Sequence, residues 1–166
     1  MARKKAVRAA NNGVAMSLIW HDWGVKDLNV YALYDILRLR SQAFVVEQRC
    51  AYQDLDGLDL IDGHRHITGW QNGRLIACAR LLAPHDGQNA VTIGRVVVAQ
   101  EVRGQQLGQQ LLMHAQAACT RHWPGRAHYL SAQAHLQAFY QQFGFVVCGA
   151  GYDEDGIPHV PMRTAG

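Results

Sequence analysis

At 166 residues the chain has the length of one domain, large enough to bury a core without disulfides or metals. Its composition, 49% apolar and 17% charged, is that of an ordinary folded protein, and no apolar run reaches the length of a bilayer span. The net charge of +3 comes from a basic leader: Arg3, Lys4, Lys5 and Arg8 precede the first acid, Asp22, and without them twelve basic residues face thirteen acidic ones. The rest is near neutral, which excludes the clustered basic footprint of a nucleic-acid binder. Residues 1–15 are expected to form a disordered, solvated leader and residues 16–166 a single domain. The leader lacks the apolar core of a secretory signal, so a cytoplasmic protein without a membrane partner is expected. Four scattered cysteines, Cys50, Cys78, Cys119 and Cys148, show no Cys-x-x-Cys spacing and indicate neither a disulfide framework nor a metal site.

In chain order, Ser17–Trp23 reads as a first strand. Asn29 caps a predicted helix with Val30, Leu33, Tyr34 and Leu37 on one apolar face, continuing toward Phe44. Glu47–Gly63 loses periodicity, gains acid and reads as a loop. The runs HRHITGWQ and RLIACARLLAP flank Asn72-Gly73, which supplies the positive φ angles of a type I′ hairpin turn. VTIGRVVV, Val91–Val98, is the third strand of this meander. A tight Arg103-Gly104 turn then feeds a helix with Leu107, Leu111, Ala115 and Ala118 in one stripe, ended by His122-Trp123-Pro124-Gly125. After the short strand HYLSAQ, Leu136, Phe139, Tyr140 and Phe143 form the apolar side of a helix stopped at Gly144. A hairpin around Asp155-Gly156 closes the chain. The order β, α, loop, β, β, β, α, β, α, β, β predicts a mixed α/β sheet with helices on its faces.

Two features carry chemistry. The turn from Val98 through Val102–Leu112 aims free backbone N–H groups, at the positive end of a helix dipole, toward one point where a diphosphate would sit well. Tyr140 lies one turn inside the next helix, where a tyrosine serves either as core packing or as a phenol beside a reactive centre. Asp54, Asp56, Asp59 and Asp62 suggest carboxylates that hold a cationic acceptor, with a solvated loop as the alternative. They fail the calcium-loop pattern, since the terminal Glu position counted from Asp54 is Arg65. His64 and His66 have no third ligand placed by sequence and read as strand residues.

The strings LRLRSQAFVVEQ, YQDLDGLD, RVVVAQEVRGQQLGQQLL, AQAHLQAFYQQFGF and DEDGIPHVPM resemble the GNAT superfamily of N-acetyltransferases, in its ElaA-like branch, over nearly the whole chain. That resemblance implies a GNAT-type, mostly antiparallel sheet with helices on both faces, acetyl-CoA as co-substrate and no metal. It implies that Val96, Val97 and Val98 pair with the pantetheine arm beside a bulge, with Gly94 as a possible bulge position. The pyrophosphate motif R/Q-x-x-G-x-G/A falls on Arg103, Gly104, Gln105, Gln106, Leu107 and Gly108, with Gln109 following. Gln106 stands where a glycine is expected, and a negative φ would let it serve. Gln133 occupies the position of an amide that bonds the arm. Tyr140, four residues before Gly144-Phe145, matches the tyrosine that protonates the departing thiolate. Where many relatives place a Glu on the strand before the loop, this chain has Thr92, Gly94 and Arg95. Glu47 is then the candidate base, ahead of His66 and His135, and Asp54 and Asp56 would hold the acceptor, a small-molecule or peptide amine. No cysteine falls near these motifs, so no covalent enzyme intermediate is expected. A homodimer through the C-terminal hairpin is compatible with the resemblance. The alternatives are an acyl-homoserine-lactone-synthase-like acyltransferase, whose relatives usually lack a formed phosphate loop, and a non-catalytic acyl-CoA-binding module.

Overall fold

The computed structural model describes residues 18–166, so the expected leader over residues 1–15 lies outside the described residues. β1 (Leu18–Gly24) pairs antiparallel with β2 (Arg65–Gln71), which turns through Asn72-Gly73 into β3 (Arg74–Leu82). The two turn residues hold φ at 51° and 75°, as a type I′ turn demands. β3 pairs with β4 (Ala90–Val98), and β4 runs parallel to β5 (Ala127–Gln133). β8 (Ile157–Arg163) lies against β5, and both β6 (Val146–Val147) and β7 (Tyr152–Glu154) pair with β8. The sheet order β1-β2-β3-β4-β5-β8-β6 is mixed and mostly antiparallel, the expected class. Among the described residues no helix is long and apolar enough to cross a membrane.

Side-chain alternation along β3 sends Ala77, Ala79 and Leu81 to one face and Cys78 to the other. On the first face α2 (Leu107–His122) lays down Leu111, Leu112, Ala115, Ala118 and Cys119, making the main core with Ile67, Val91, Ile93, Leu130 and Met162. On the second, α1 (Val30–Arg40), prolonged as a π-helical stretch over Ser41–Glu47, packs Ile36 and Ala43 onto Leu75, Cys78 and Val97. Asn29 caps α1 as expected, its side-chain oxygen accepting from the Ala32 N–H at 2.9 Å. The buried stripe of α1 is not the expected one. Ala32, Ile36, Arg40 and Ala43 face inward, whereas Val30 and Tyr34 are exposed.

The reason is Arg40, a charged residue buried in the middle of the stripe. Its Nε donates to Asp54 Oδ2 at 3.0 Å, its Nη2 to the Asp54 carbonyl at 3.0 Å and its Nη1 to Asp59 Oδ1 at 2.5 Å. Arg80 on β3 donates to Asp56 at 2.6 and 2.7 Å and to Asp59 at 3.0 Å. Arg95 on β4 donates through Nε to Asp54 Oδ1 at 2.7 Å. Asp54, Asp56 and Asp59 are therefore folded against three arginines, whereas Asp62 is solvated and pairs with the exposed Lys26 at 3.0 Å. Burial pushes the Asp59 carboxyl up, but Arg40 and Arg80 outweigh it and hold it below the usual carboxylate range. A hydrogen bond from Arg80 is the chief cause that holds Asp56 low.

Arg40→Met would leave Asp54 and Asp59 buried with too few partners, and urea denaturation is expected to show a loss of about 3–5 kcal/mol. The network also sets an acid limb. Because the folded values of Asp56 and Asp59 lie below the unfolded value of about 3.9, their contribution is complete above that pH and is lost as pH falls through the folded values. A urea series is expected to keep its midpoint down to about pH 4 and to lose it steadily below.

Candidate active site

β4 and β5 stay paired only over Ala90↔Ala127, Val91↔His128 and Thr92↔Tyr129. Beyond Thr92 they part. The cause lies in β4, whose register against β3 runs to Gly94↔Arg80 and resumes at Val97↔Cys78. Arg95 and Val96 thus stand opposite one residue, Ala79, in a bulge that bends the strand. Arg95 takes the left-handed φ of +52°, whereas Gly94, the expected bulge position, precedes it without a positive φ. A side chain is kept at this strained position because it is held: its guanidinium reaches Asp54 at 2.7 Å and lies 5.4 Å over the Tyr52 ring.

The parted strands border a cavity of about 380 Å³, with Ile93–Val96 on one side and Tyr129–Ser131 and Gln133 on the other. Of the three valines, Val96 lines it. Val97 packs under α1 and Val98 borders the core, its carbonyl accepting from Arg103 Nε at 3.0 Å. What this stretch of strand offers a ligand is its backbone edge, which β5 does not pair past Thr92.

The turn into α2 is exposed from Arg103 to Gln106. Gly104 holds φ at +82°, where glycine is required. Gln106 holds φ at +60°, so the condition of a negative φ is not met: it takes instead the left-handed conformation open to the glycine expected there. Its side chain makes no cap, so the N–H groups of Leu107, Gly108 and Gln109 begin the helix without intrahelical acceptors. A Cβ added at Gly108 would meet only the Phe139 ring at 3.8 Å, an ordinary contact, so packing inside the protein does not demand glycine there. The Arg103 guanidinium is held twice, its Nε donating to the Val98 carbonyl and its Nη2 to Glu47 Oε2 at 2.8 Å.

Tyr140 sits on α3 (Gln137–Gln141), buried against Phe139 and Phe145, and borders the cavity. Gly144, at φ +82°, ends that helix as expected. Burial pushes the Tyr140 phenol up to about 12. Gln133, the last residue of β5, borders the same cavity.

Three expectations are corrected by this geometry. Glu47 does not line the cavity; it lies in a separate depression beside Arg38 and Arg74, with its carboxylate committed to Arg103. Asp54 is only 4% exposed and spends both oxygens on Arg40, Arg95 and Tyr52, so it is not at the mouth; Asp56 reaches the cavity but is bound by Arg80 and Arg95. Cys50, expected to lie away from the site, is on the cavity lining. Desolvation, with Asp155 and Glu154 nearby, pushes its thiol up, the opposite of what a nucleophile needs. His66 is buried, donates to the Asp59 carbonyl at 2.8 Å and has its imidazole pushed down by burial, so it too is structural.

Sequence reasoning missed Glu154 and His159, both on the lining. A signal for them existed. The Asp155-Gly156 turn, with φ of 53° and 80°, fixes the pairs Glu154↔Ile157 and Tyr152↔His159, which puts all four side chains on one face of the hairpin. Among the described residues no group of three or more His, Cys, Asp or Glu side chains is arranged to hold a metal.

Residues 41–165 match a family model described as an acetyltransferase (GNAT) domain. The chain belongs to the GNAT family. It is 51% identical to protein ElaA of Escherichia coli over 143 residues, which cover 86% of this chain and 94% of that protein. The crystal structure of E. coli ElaA superposes with a TM-score of 0.85 at 49% identity, covering 89% of this chain and 99% of that one. An acyl-CoA N-acyltransferase from Pseudomonas aeruginosa superposes with a TM-score of 0.84 at 47% identity, covering 89% and 99%. The split sheet and the turn into α2 thus belong to a GNAT acyltransferase.

Gln106→Gly would relieve the left-handed strain at the one non-glycine position of the turn's second bend. Thermal and urea denaturation are expected to show a gain of up to about 1 kcal/mol. Gln106→Val is expected to lose stability by a similar or larger amount.

Proposed function

We propose that the protein is an N-acetyltransferase that moves the acetyl group of acetyl-CoA onto an amine by direct attack. The observation that carries this reading is the parting of β4 from β5 after Thr92, with Tyr140 on the lining of the resulting cavity. The residues present suit the co-substrate. An unpaired edge over Ile93–Val98 serves the amide groups of the pantetheine arm as a neighbouring strand would, with Gln133 across the gap. The N–H groups of Leu107, Gly108 and Gln109 suit a diphosphate, and the left-handed turns at Gly104 and Gln106 present them. Arg103, tied to Glu47 and Val98, holds that turn to the end of β4.

In the transfer a neutral amine nitrogen attacks the thioester carbon, and a strand N–H steadies the oxyanion. The C–N bond forms and the C–S bond breaks. Because its phenol is pushed up to about 12, Tyr140 is protonated at neutral pH and has a proton to give the departing sulfur. The acceptor class is a small-molecule or peptide amine.

Tyr140→Phe keeps the ring and its packing and removes the proton. Release of CoA to primary amines is expected to fall by about 100-fold or more. Calorimetric titration with acetyl-CoA should give an unchanged affinity. Turnover equal to that of the wild type would take Tyr140 out of the mechanism.

A further inference from the structure

Transfer to an amine, the reading on which this inference rests, needs a group that takes the ammonium proton, and Glu47 is not in the cavity. Most ionisable groups on the lining are already committed. Asp56 is bound by Arg80 and Arg95, and Cys50, Tyr52 and Tyr129 are each pushed up by burial. Glu154, Asp155 and His159, all from the C-terminal hairpin, are what remain.

His159 is the one with a built environment. Its Nδ1–H donates to the Ile157 carbonyl at 2.7 Å, which fixes the tautomer and leaves Nε2 with a free lone pair. Nε2 faces Glu154 Oε2 at 3.9 Å. The ring stacks on Tyr152, with centroids 6.0 Å apart and planes 24° apart. The Tyr152 hydroxyl is in turn hydrogen-bonded to Ser131 on β5. The hairpin is therefore braced against β5, with an imidazole on the cavity wall, the Ile157 carbonyl behind it at Nδ1 and a carboxylate beside its Nε2.

We propose that His159 is the general base of the transfer, with Glu154 and Tyr152 as its positioning residues. The acceptor ammonium gives one proton to His159 Nε2, which passes it to water. The freed amine attacks the acetyl carbon, so that a C–N bond forms and the C–S bond breaks. Sulfur takes the Tyr140 proton, and the second N–H proton, lost as the amide forms, returns to Tyr140. One proton is released to solvent for each amide made. The carboxylates of Glu154 and Asp155 beside this base fit an acceptor that arrives as a cation.

The ionisable groups around His159 are Glu154 and Tyr152 of β7, Asp155 in the turn, Tyr129 of β5, and His135 in the short turn Ala134–Leu136 that packs on β8. The test is the pH dependence of CoA release from acetyl-CoA with spermidine, tyramine and a lysine-bearing peptide as acceptors. For His159→Gln the rate at neutral pH is expected to fall by about 100-fold. The loss should close as pH approaches the amine's own range near about 10, where no base is needed. Acetyl-CoA affinity should not change. Glu154→Gln, which removes the carboxylate beside Nε2, should lower the neutral-pH rate by less than His159→Gln does and leave acetyl-CoA affinity unchanged. A His159→Gln profile that matches the wild type, or is lowered by one factor at every pH, overturns the assignment. A wild-type protein that binds no acetyl-CoA, or releases CoA to none of the three amines, overturns the N-acetyltransferase reading itself, before any variant is made.

Discussion

Asp54 accepts from Arg40 of α1 on one oxygen and from Arg95 of β4 and Tyr52 on the other, with its carboxylate almost wholly out of water. Arg95 is the residue that holds a left-handed φ at the bulge, a conformation that costs an ordinary side chain on the order of 1 kcal/mol or more. The bond to Asp54 offsets that cost. It also ties the bulge to α1 on one face of the sheet, so that the helix, the acidic loop and the split strand form one unit. Arg40, Arg80 and Arg95 balance Asp54, Asp56 and Asp59 in a closed ring, and removing any member costs two of the others a partner and leaves the cluster with an unbalanced charge.

The bulge matters because β-strands do not part without a reason. An open edge in the middle of a sheet leaves backbone donors and acceptors unsatisfied unless something else meets them. Here the parting begins at Thr92/Tyr129, and the same stretch of chain leads directly into the exposed turn at Arg103–Gln106 and the free N–H groups of α2. An extended ligand with amides at one end and a diphosphate at the other would meet both sets of groups. Tyr140 and the C-terminal hairpin flank the cavity where its reactive end would lie. The two sides differ in chemistry: a buried, protonated phenol from α3, and His159 with Glu154 from β7 and β8.

Local rules made much of this legible. Asn72-Gly73 and Asp155-Gly156 fix their turns by conformation alone, Gly144 ends its helix, and the α2 stripe of Leu107, Leu111, Ala115 and Ala118 is buried as its spacing requires. What was misread depends on distant partners. Arg40 looks like a surface residue until Asp54 and Asp59, 14 and 19 positions on, close around it, and its burial turns α1 onto a different face. Glu47 looks like a base until Arg103, 56 positions away, takes its carboxylate. Gln106 looks like a loss of the turn until its φ shows that the turn is made regardless. His159 needed only the hairpin register, which the Asp-Gly turn determines, but not the knowledge that β8 would lie against β5 at the cavity.

Amide hydrogen exchange resolved by residue, with and without saturating acetyl-CoA, tests the central claim most directly. If the split between β4 and β5 is an acyl-CoA site, exchange should slow over Ile93–Val98 and over Leu107–Gln109, while β1 and β2 on the far side of the sheet stay unchanged. Binding that leaves those two segments unprotected, or protects the sheet uniformly, would contradict it.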